Sequence, residues 1–189
     1  MKLNNSDLLK FALNFADESK KILQKNYFKT FNIEEKNDGS LVTNIDKEIE
    51  EKFRKLLKKK FPEHGVIGEE FGYERENNEY VWILDPLDGT HSFIAGKPLF
   101  GTLICCMKNN KPIIGVIDIP ILNQRWSGGE KLGVKLNNIK CKKVLKKKKF
   151  SQTIMASTSL LMFDEQRRST ITEIDKKVKF PIFGTDCYA

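Results

Sequence analysis

The stretch Tyr80-Val81-Trp82-Ile83-Leu84-Asp85-Pro86-Leu87-Asp88-Gly89-Thr90 sets an apolar and aromatic run directly before two aspartates, a proline and a glycine. A short run of that kind, bounded by turn residues, reads as a strand. Pro86 has no N–H to give and should halt further strand pairing. His91-Ser92-Phe93-Ile94 then suits a short helix. Asp85 and Asp88 can therefore converge at the strand end. Two like charges about 4 Å apart repel by roughly 4 kcal/mol at an effective dielectric of about 20, a cost that a divalent cation removes. Every candidate ligand in the motif before Thr90 is an oxygen, which favours hard magnesium over zinc. Leu87 can add its backbone carbonyl. Gly89 lets the backbone approach a phosphate, and amides at a helix start can meet an anion.

Upstream, Val66-Ile67 is another β-type run, and it too ends in acids, Glu69-Glu70. Thr43 and Asp46 form a T-x-x-D helix start, followed by Ile45, Ile49, Phe53, Leu56 and Leu57 on one face, with Pro62 just beyond the end. Ser6 to Asn26 places Leu8, Phe11, Ala12, Phe15, Ile22 and Leu23 at helical spacings, so two amphipathic helices are expected to pack as a pair. Downstream, Leu99 to Met107 and Pro112 to Ile119 flank Asn109-Asn110, and Leu132 to Leu136 and Ile139 to Leu145 flank Asn137-Asn138. Each Asn pair predicts a hairpin. Thr153 to Ala156 reads as a strand, Asp164 to Val178 as a helix, Phe180 to Phe183 as a strand, and Gly184-Thr185-Asp186 as a helix start. The whole is an α/β chain with an N-terminal metal- and phosphate-binding domain over residues 1–145 and the start of a second over 146–189.

Asp, Pro and Gly are common turn residues, so D-P-L-D-G-T alone has even odds of being a plain turn. Glu69 and Glu70 at a second strand end, with Asp46 and Thr43 nearby on the helix, make a chance turn a poor explanation. Asp46 is explained equally well by the capping box. A D-x-D-G-T motif with a phosphorylated aspartate, as in the haloacid-dehalogenase superfamily, has different spacing and lies early in its chain. Water activated by metal is preferred here to an aspartyl-phosphate. His64 and His91 read as turn and helix-start residues rather than ligands, and Asp118 as a strand residue without a catalytic role.

With 189 residues, 40% hydrophobic and 31% charged, the chain has the composition of a soluble globular protein. Its net charge of +8 is carried by 28 Lys and only 5 Arg. Nucleic-acid sites usually recruit Arg forks, so even the lysine-rich run Lys142 to Lys149 points away from nucleic acid and toward anionic small substrates. No stretch is long and apolar enough to span a membrane, and Met1 to Asn5 lack the apolar core of a secretory signal, so the cytoplasm is expected. Cys105, Cys106, Cys141 and Cys187 show no zinc spacing and are expected to be reduced and mostly buried.

Three ordered blocks, Lys36-x-Asp38-x-Ser40-x-Val42-Thr43-x-x-Asp46, Gly68-Glu69-Glu70 and Trp82 to Thr90, resemble the inositol-monophosphatase superfamily. The resemblance implies that superfamily's layered α/β sandwich and a magnesium-dependent phosphomonoesterase using two or more ions. It places the metal on Glu69, Asp85, Asp88 and the Leu87 carbonyl, and the phosphate on Gly89 and Thr90. Asp46, Glu69 and Thr90 would be the catalytic group, with Asp46 and Thr90 positioning the attacking water. His91 to Ile104, Gly115 to Pro120 with Arg125-Trp126, and Gly184 to Ala189 look like the histidinol-phosphatase branch, which acts in histidine biosynthesis. Branches acting on inositol phosphates or nucleotide bisphosphates share the metal core. A homodimer is implied as well.

Members of the superfamily continue into a helix with a W-D-x-A-like motif that supplies a further metal ligand. Asp164, Asp175 and Asp186 do not stand in that context. The chain is therefore expected to be C-terminally truncated, with its second half incomplete and its last strand exposed. Two functions follow as expectations: a phosphatase, or a catalytically impaired module that binds metal and phosphate without turnover.

Overall fold

The structure, a computed structural model, describes residues 4–36, 39, 41–142 and 148–187. These form two compact units, one within Met1–Cys141 and the other within Lys142–Asp186. The expected boundary between residues 145 and 146 lies outside the described residues, as do Asp38, Ser40, Tyr188 and Ala189 of the motifs above.

The first unit opens with α1 (Asn5–Asn26), whose first turn is capped by the Asn4 side chain accepting from the Asp7 amide at 2.9 Å. A small hairpin of β1 (Ile33–Glu35) and β2 (Leu41–Thr43) leads into α2 (Asn44–Lys60). Next come β3 (Gly65–Gly68), β4 (Gly72–Glu74), β5 (Tyr80–Asp88) and the short α3 (Thr90–Ile94). The strands β6 (Gly101–Lys108), β7 (Lys111–Ile119), β8 (Gln124–Gly129), β9 (Gly133–Leu136) and β10 (Ile139–Lys140) follow. Eight of these strands make one sheet in the order β10-β9-β8-β7-β6-β5-β3-β4. Its only parallel pair among the described residues is β3 with β5. That pairing sets the ends of β3 and β5 side by side, which is what brings their acids together.

Both helices seal one face of the sheet. Phe53 of α2 lies 4.8 Å from Phe15 and 5.9 Å from Phe11 of α1, ring centre to centre, and Trp82 of β5 packs on Phe11 at 5.1 Å. Phe15, Phe53 and Trp82 are fully buried, so each removes the apolar area of a large ring from water, worth about 1.5–3 kcal/mol apiece. The expected helix pair is thus present, anchored by aromatic rings to the strand that carries the acids. His64 is a core residue as well as a turn residue: it stacks between Phe61 and Tyr80, and its Nδ1 accepts from Trp82 Nε1 at 3.0 Å. Burial lowers the His64 pKa. A depressed histidine stabilises the fold above the unfolded pKa near 6.5, and that contribution is lost as pH falls. Thermal midpoints should therefore drop between pH 7.5 and 5.5, and the drop should shrink in His64→Gln.

Asn109, Asn110, Asn137 and Asn138 all adopt left-handed backbone, the geometry of a two-residue hairpin turn, and both expected hairpins form there. Two expectations change. β5 does not stop at Pro86 but runs on to Asp88 through a bulge: Asp85 pairs with Leu103 and Asp88 with Gly101, leaving Pro86 and Leu87 opposite Thr102. Proline breaks the ladder locally without ending the strand. Among the cysteines, Cys106 is buried, whereas Cys105 and Cys141 are partly exposed.

In the second unit, β11 (Ile154–Ser157) and β12 (Phe180–Phe183) pair in parallel, connected through α4 (Glu165–Asp175). The Asp164 side chain caps α4 by accepting from the Arg167 amide at 2.8 Å. Phe180, Ile182 and Phe183 stay 40–47% exposed. Gly184 to Asp186 form no helix, against the sequence expectation; the Gly184 amide instead bonds back to the Thr158 carbonyl.

Candidate metal and phosphate site

Glu69 follows β3 directly, and its amide donates to the Leu84 carbonyl of β5 at 3.2 Å. This bond locks the acidic corner of β3 onto the acidic end of β5. Burial, then the charge of Glu69, then that of Asp88, push the Asp85 pKa up to about 9, although the Leu87 amide donates to its Oδ1 at 3.1 Å. Asp85 is thus a carboxylate placed where its own charge is disfavoured. An arrangement that holds acids together against their repulsion is poised for a cation.

The bulge after Asp85 is held at each carbonyl. Thr90 Oγ1 donates to the Leu87 carbonyl at 3.0 Å, and Thr102 Oγ1 donates to the Pro86 carbonyl at 2.9 Å. Gly89 takes φ 85°, and a side chain there would come within 2.7 Å of the Leu99 carbonyl, so glycine is required on both counts. α3 has only five residues, which leaves little helix dipole; any anion role of this turn rests on nearby amides, because the Thr90 hydroxyl gives its proton to the Leu87 carbonyl.

Asp46 is 2% exposed, and its Oδ2 accepts from the Thr43 amide at 2.9 Å and from the Thr43 hydroxyl at 2.5 Å. The capping box is therefore real. Burial raises the Asp46 pKa against these bonds, and the charge of Glu69 adds to the rise. Lys36 Nζ bonds Glu70 at 2.9 Å and Glu69 at 3.2 Å. Burial works against its ammonium, but the two carboxylates outweigh it and hold its pKa above the ordinary value. Glu70 moves upward too, because burial exceeds the help it receives from Lys36.

One functional residue escaped the sequence reading. Glu50 is fully buried, and its carboxylate accepts from the Glu70 amide at 2.8 Å, the Phe71 amide at 3.2 Å and Arg54 at 2.8 Å. Arg54 in turn donates to the Gly72 carbonyl at 2.6 Å. This clamp shapes the turn that carries Glu69. The available signal was the spacing Asp46, Glu50, Arg54, one helical row that should have been solvated yet runs beside the buried Ile49 and Phe53.

The structure thus brings Glu69, Asp85 and Asp88 into electrostatic contact, sets Leu87, Gly89 and Thr90 beside them, and seats Asp46 within the field of Glu69. Among the described residues no three Asp, Glu, His or Cys side chains are grouped closely enough to hold an ion as they stand. The fit to magnesium lies in the donors: all oxygen, charged and mutually repelling.

The inositol monophosphatase family profile matches residues 4–182. The protein named bifunctional phosphatase IMPL2, chloroplastic, of Arabidopsis thaliana is 40% identical over 99% of this chain and 55% of its own. A protein of Chlorobaculum parvum named histidinol-phosphatase is 36% identical over 68% of this chain and 50% of its own. The solved structure of an inositol monophosphatase from Zymomonas mobilis superposes with a TM-score of 0.83 at 30% identity, covering 99% of this chain and 72% of that one. The chain spans about half the length of the curated relatives it matches. With the ordered acids, the Pro86 bulge and a family match over nearly its full length, the chain belongs to the inositol monophosphatase family.

Proposed function

We propose that the protein is a magnesium-dependent phosphomonoesterase that hydrolyses a small phosphate ester, with histidinol phosphate as its substrate. The observation that carries this reading is the position of Asp85, half-buried at a strand end against Glu69 and Asp88, one turn before Gly89 and Thr90. Glu69, Asp85, Asp88 and the Leu87 carbonyl would hold two or more magnesium ions. Bound magnesium would supply positive charge to polarise the ester and to lower the pKa of a water. Asp85 would then keep its charge at neutral pH. Thr90 spends its proton on the Leu87 carbonyl, so its oxygen can accept from a water, and Asp46 shares that task. Gly89 leaves room for the phosphate next to the backbone.

Histidinol phosphate is favoured over inositol phosphates and nucleotide bisphosphates by the segments after Thr90 and by the relative named histidinol-phosphatase. The specificity constant for L-histidinol phosphate should exceed that for inositol 1-phosphate; the opposite order would overturn the branch and leave the phosphatase reading intact. Asp46→Asn should lower the rate by about tenfold or more while keeping most of the magnesium affinity. A variant that loses only about 1 kcal/mol of stability, with unchanged turnover, would reduce Asp46 to a helix cap.

No helix among the described residues is long and apolar enough to cross a membrane. We place the reaction in the cytoplasm, though the Arabidopsis relative is named chloroplastic. Homodimer formation is part of the same proposal, as is the division into domains at residues 145 and 146.

A further inference from the structure

Pro86 and Leu87 stand opposite a single residue of β6, Thr102, so the β5 ladder cannot satisfy the Pro86 carbonyl in the ordinary way. Thr102 is 1% exposed, and its hydroxyl takes over that task, donating to the Pro86 oxygen at 2.9 Å. A hydroxyl has one proton. With that proton committed to Pro86, the 2.6 Å contact between Thr102 Oγ1 and Ser19 Oγ must be a bond donated by Ser19. Ser19 is fully buried on α1. A directed relay therefore runs from the first helix through β6 to the peptide between the two aspartates.

We infer that Ser19 and Thr102 are positioning residues that hold the Pro86 bulge, and through it the spacing of Asp85 and Asp88, in the arrangement that binds the cation. The inference rests on the metal-site reading above. Two features separate the relay from ordinary core packing. It ends on the bulge, and it supplies the donor for the Pro86 carbonyl where the register shifts. A buried carbonyl stripped of its donor would seek another by shifting the bulge. Both aspartates flank that peptide, so a shift of a fraction of an ångström changes their separation directly.

The test compares wild type with Thr102→Val, which keeps the shape and deletes the hydroxyl, Thr102→Ser, which keeps the hydroxyl, and Ser19→Ala. Magnesium affinity is measured by calorimetry, and amide exchange is followed across the protein. Thr102→Val should bind magnesium about fivefold to tenfold more weakly, the scale of one lost buried hydrogen bond, and Ser19→Ala somewhat less so. Exchange should rise over residues 85–89 and stay unchanged in β7 and β8. Thr102→Ser should restore both readouts. Faster exchange spread evenly through the core, or wild-type exchange at residues 85–89 in Thr102→Val, would overturn the positioning role. If wild type binds no magnesium while exchange at 85–89 still responds as expected, the relay stands as a brace of the bulge, but its role in cation binding and the metal-site reading both fail.

Discussion

Asp85→Asn should abolish turnover while making the metal-free protein more stable. The two halves of that expectation come from the same fact. Asp85 has its pKa pushed up to about 9 by burial and by the charges of Glu69 and Asp88, so the folded protein holds a proton there that the unfolded chain has released at neutral pH. A raised carboxylate pKa costs stability above the unfolded value near 3.9, and the cost grows until pH passes the folded value. Asparagine removes it. Because the site is partly open to water, the gain should be discounted to on the order of 1–2 kcal/mol, or roughly 3–6 °C in melting temperature at this chain length. With magnesium present the sign reverses, since the wild type gains a bound ion and the variant has lost a charged ligand. Turnover should fall by about a thousandfold or more, the size of effect seen when a main charge-stabilising group is lost. Melting curves with and without magnesium, alongside phosphate release, read both halves. Asp85→Asn less stable than wild type in chelator would contradict the electrostatic description of the cluster.

Gly68→Ala should be among the most damaging single methyl additions in the first unit. A β-carbon at Gly68 would sit 1.9 Å from Glu50 Oε1, so the methyl and the buried carboxylate cannot coexist without displacement. Pushing Glu50 aside takes from Arg54 its buried carboxylate partner and frees the Glu70 and Phe71 amides at once. Breaking a buried ion pair costs about 3–5 kcal/mol. At this chain length that corresponds to roughly 6–20 °C. Glu50→Gln should cost less, because an amide oxygen still accepts one backbone bond while its NH2 group faces other donors. Since both changes dismantle one clamp, the double variant should be little worse than Gly68→Ala alone. Urea unfolding of the three variants decides the matter. Fully additive losses would show that Gly68 and Glu50 act separately.

The parts of this fold legible from sequence are those whose signal is local. The Thr43 and Asp46 box, the apolar rows of α1 and α2 and the two Asn-Asn hairpins are all written within a few residues, and all appear, except that Leu56 of the α2 row lies exposed. β1, β2 and β4 are three residues long, too short to show alternation. β8 reads Gln124-Arg125-Trp126-Ser127-Gly128-Gly129, a composition that resembles a loop; its pairing with β7 and β9 makes it a strand. In the site, the acids were visible as acids at strand ends. The brace was not. Glu50 and Thr102 act through partners that are 20 and 16 residues away, on elements whose juxtaposition the sequence does not print. Pro86 does not halt pairing as its missing N–H suggested: the interruption is a bulge, and the ladder resumes at Asp88.

Magnesium binding by the acidic corner is the claim on which the rest depends. Calorimetric titration of magnesium into the wild-type protein, with Asp85→Asn titrated in parallel, measures it most directly. The account expects a saturable binding event in the wild type that weakens about a hundredfold or vanishes in the variant, since a charged oxygen ligand has been removed. Indistinguishable titrations, or no binding by the wild type, would contradict it.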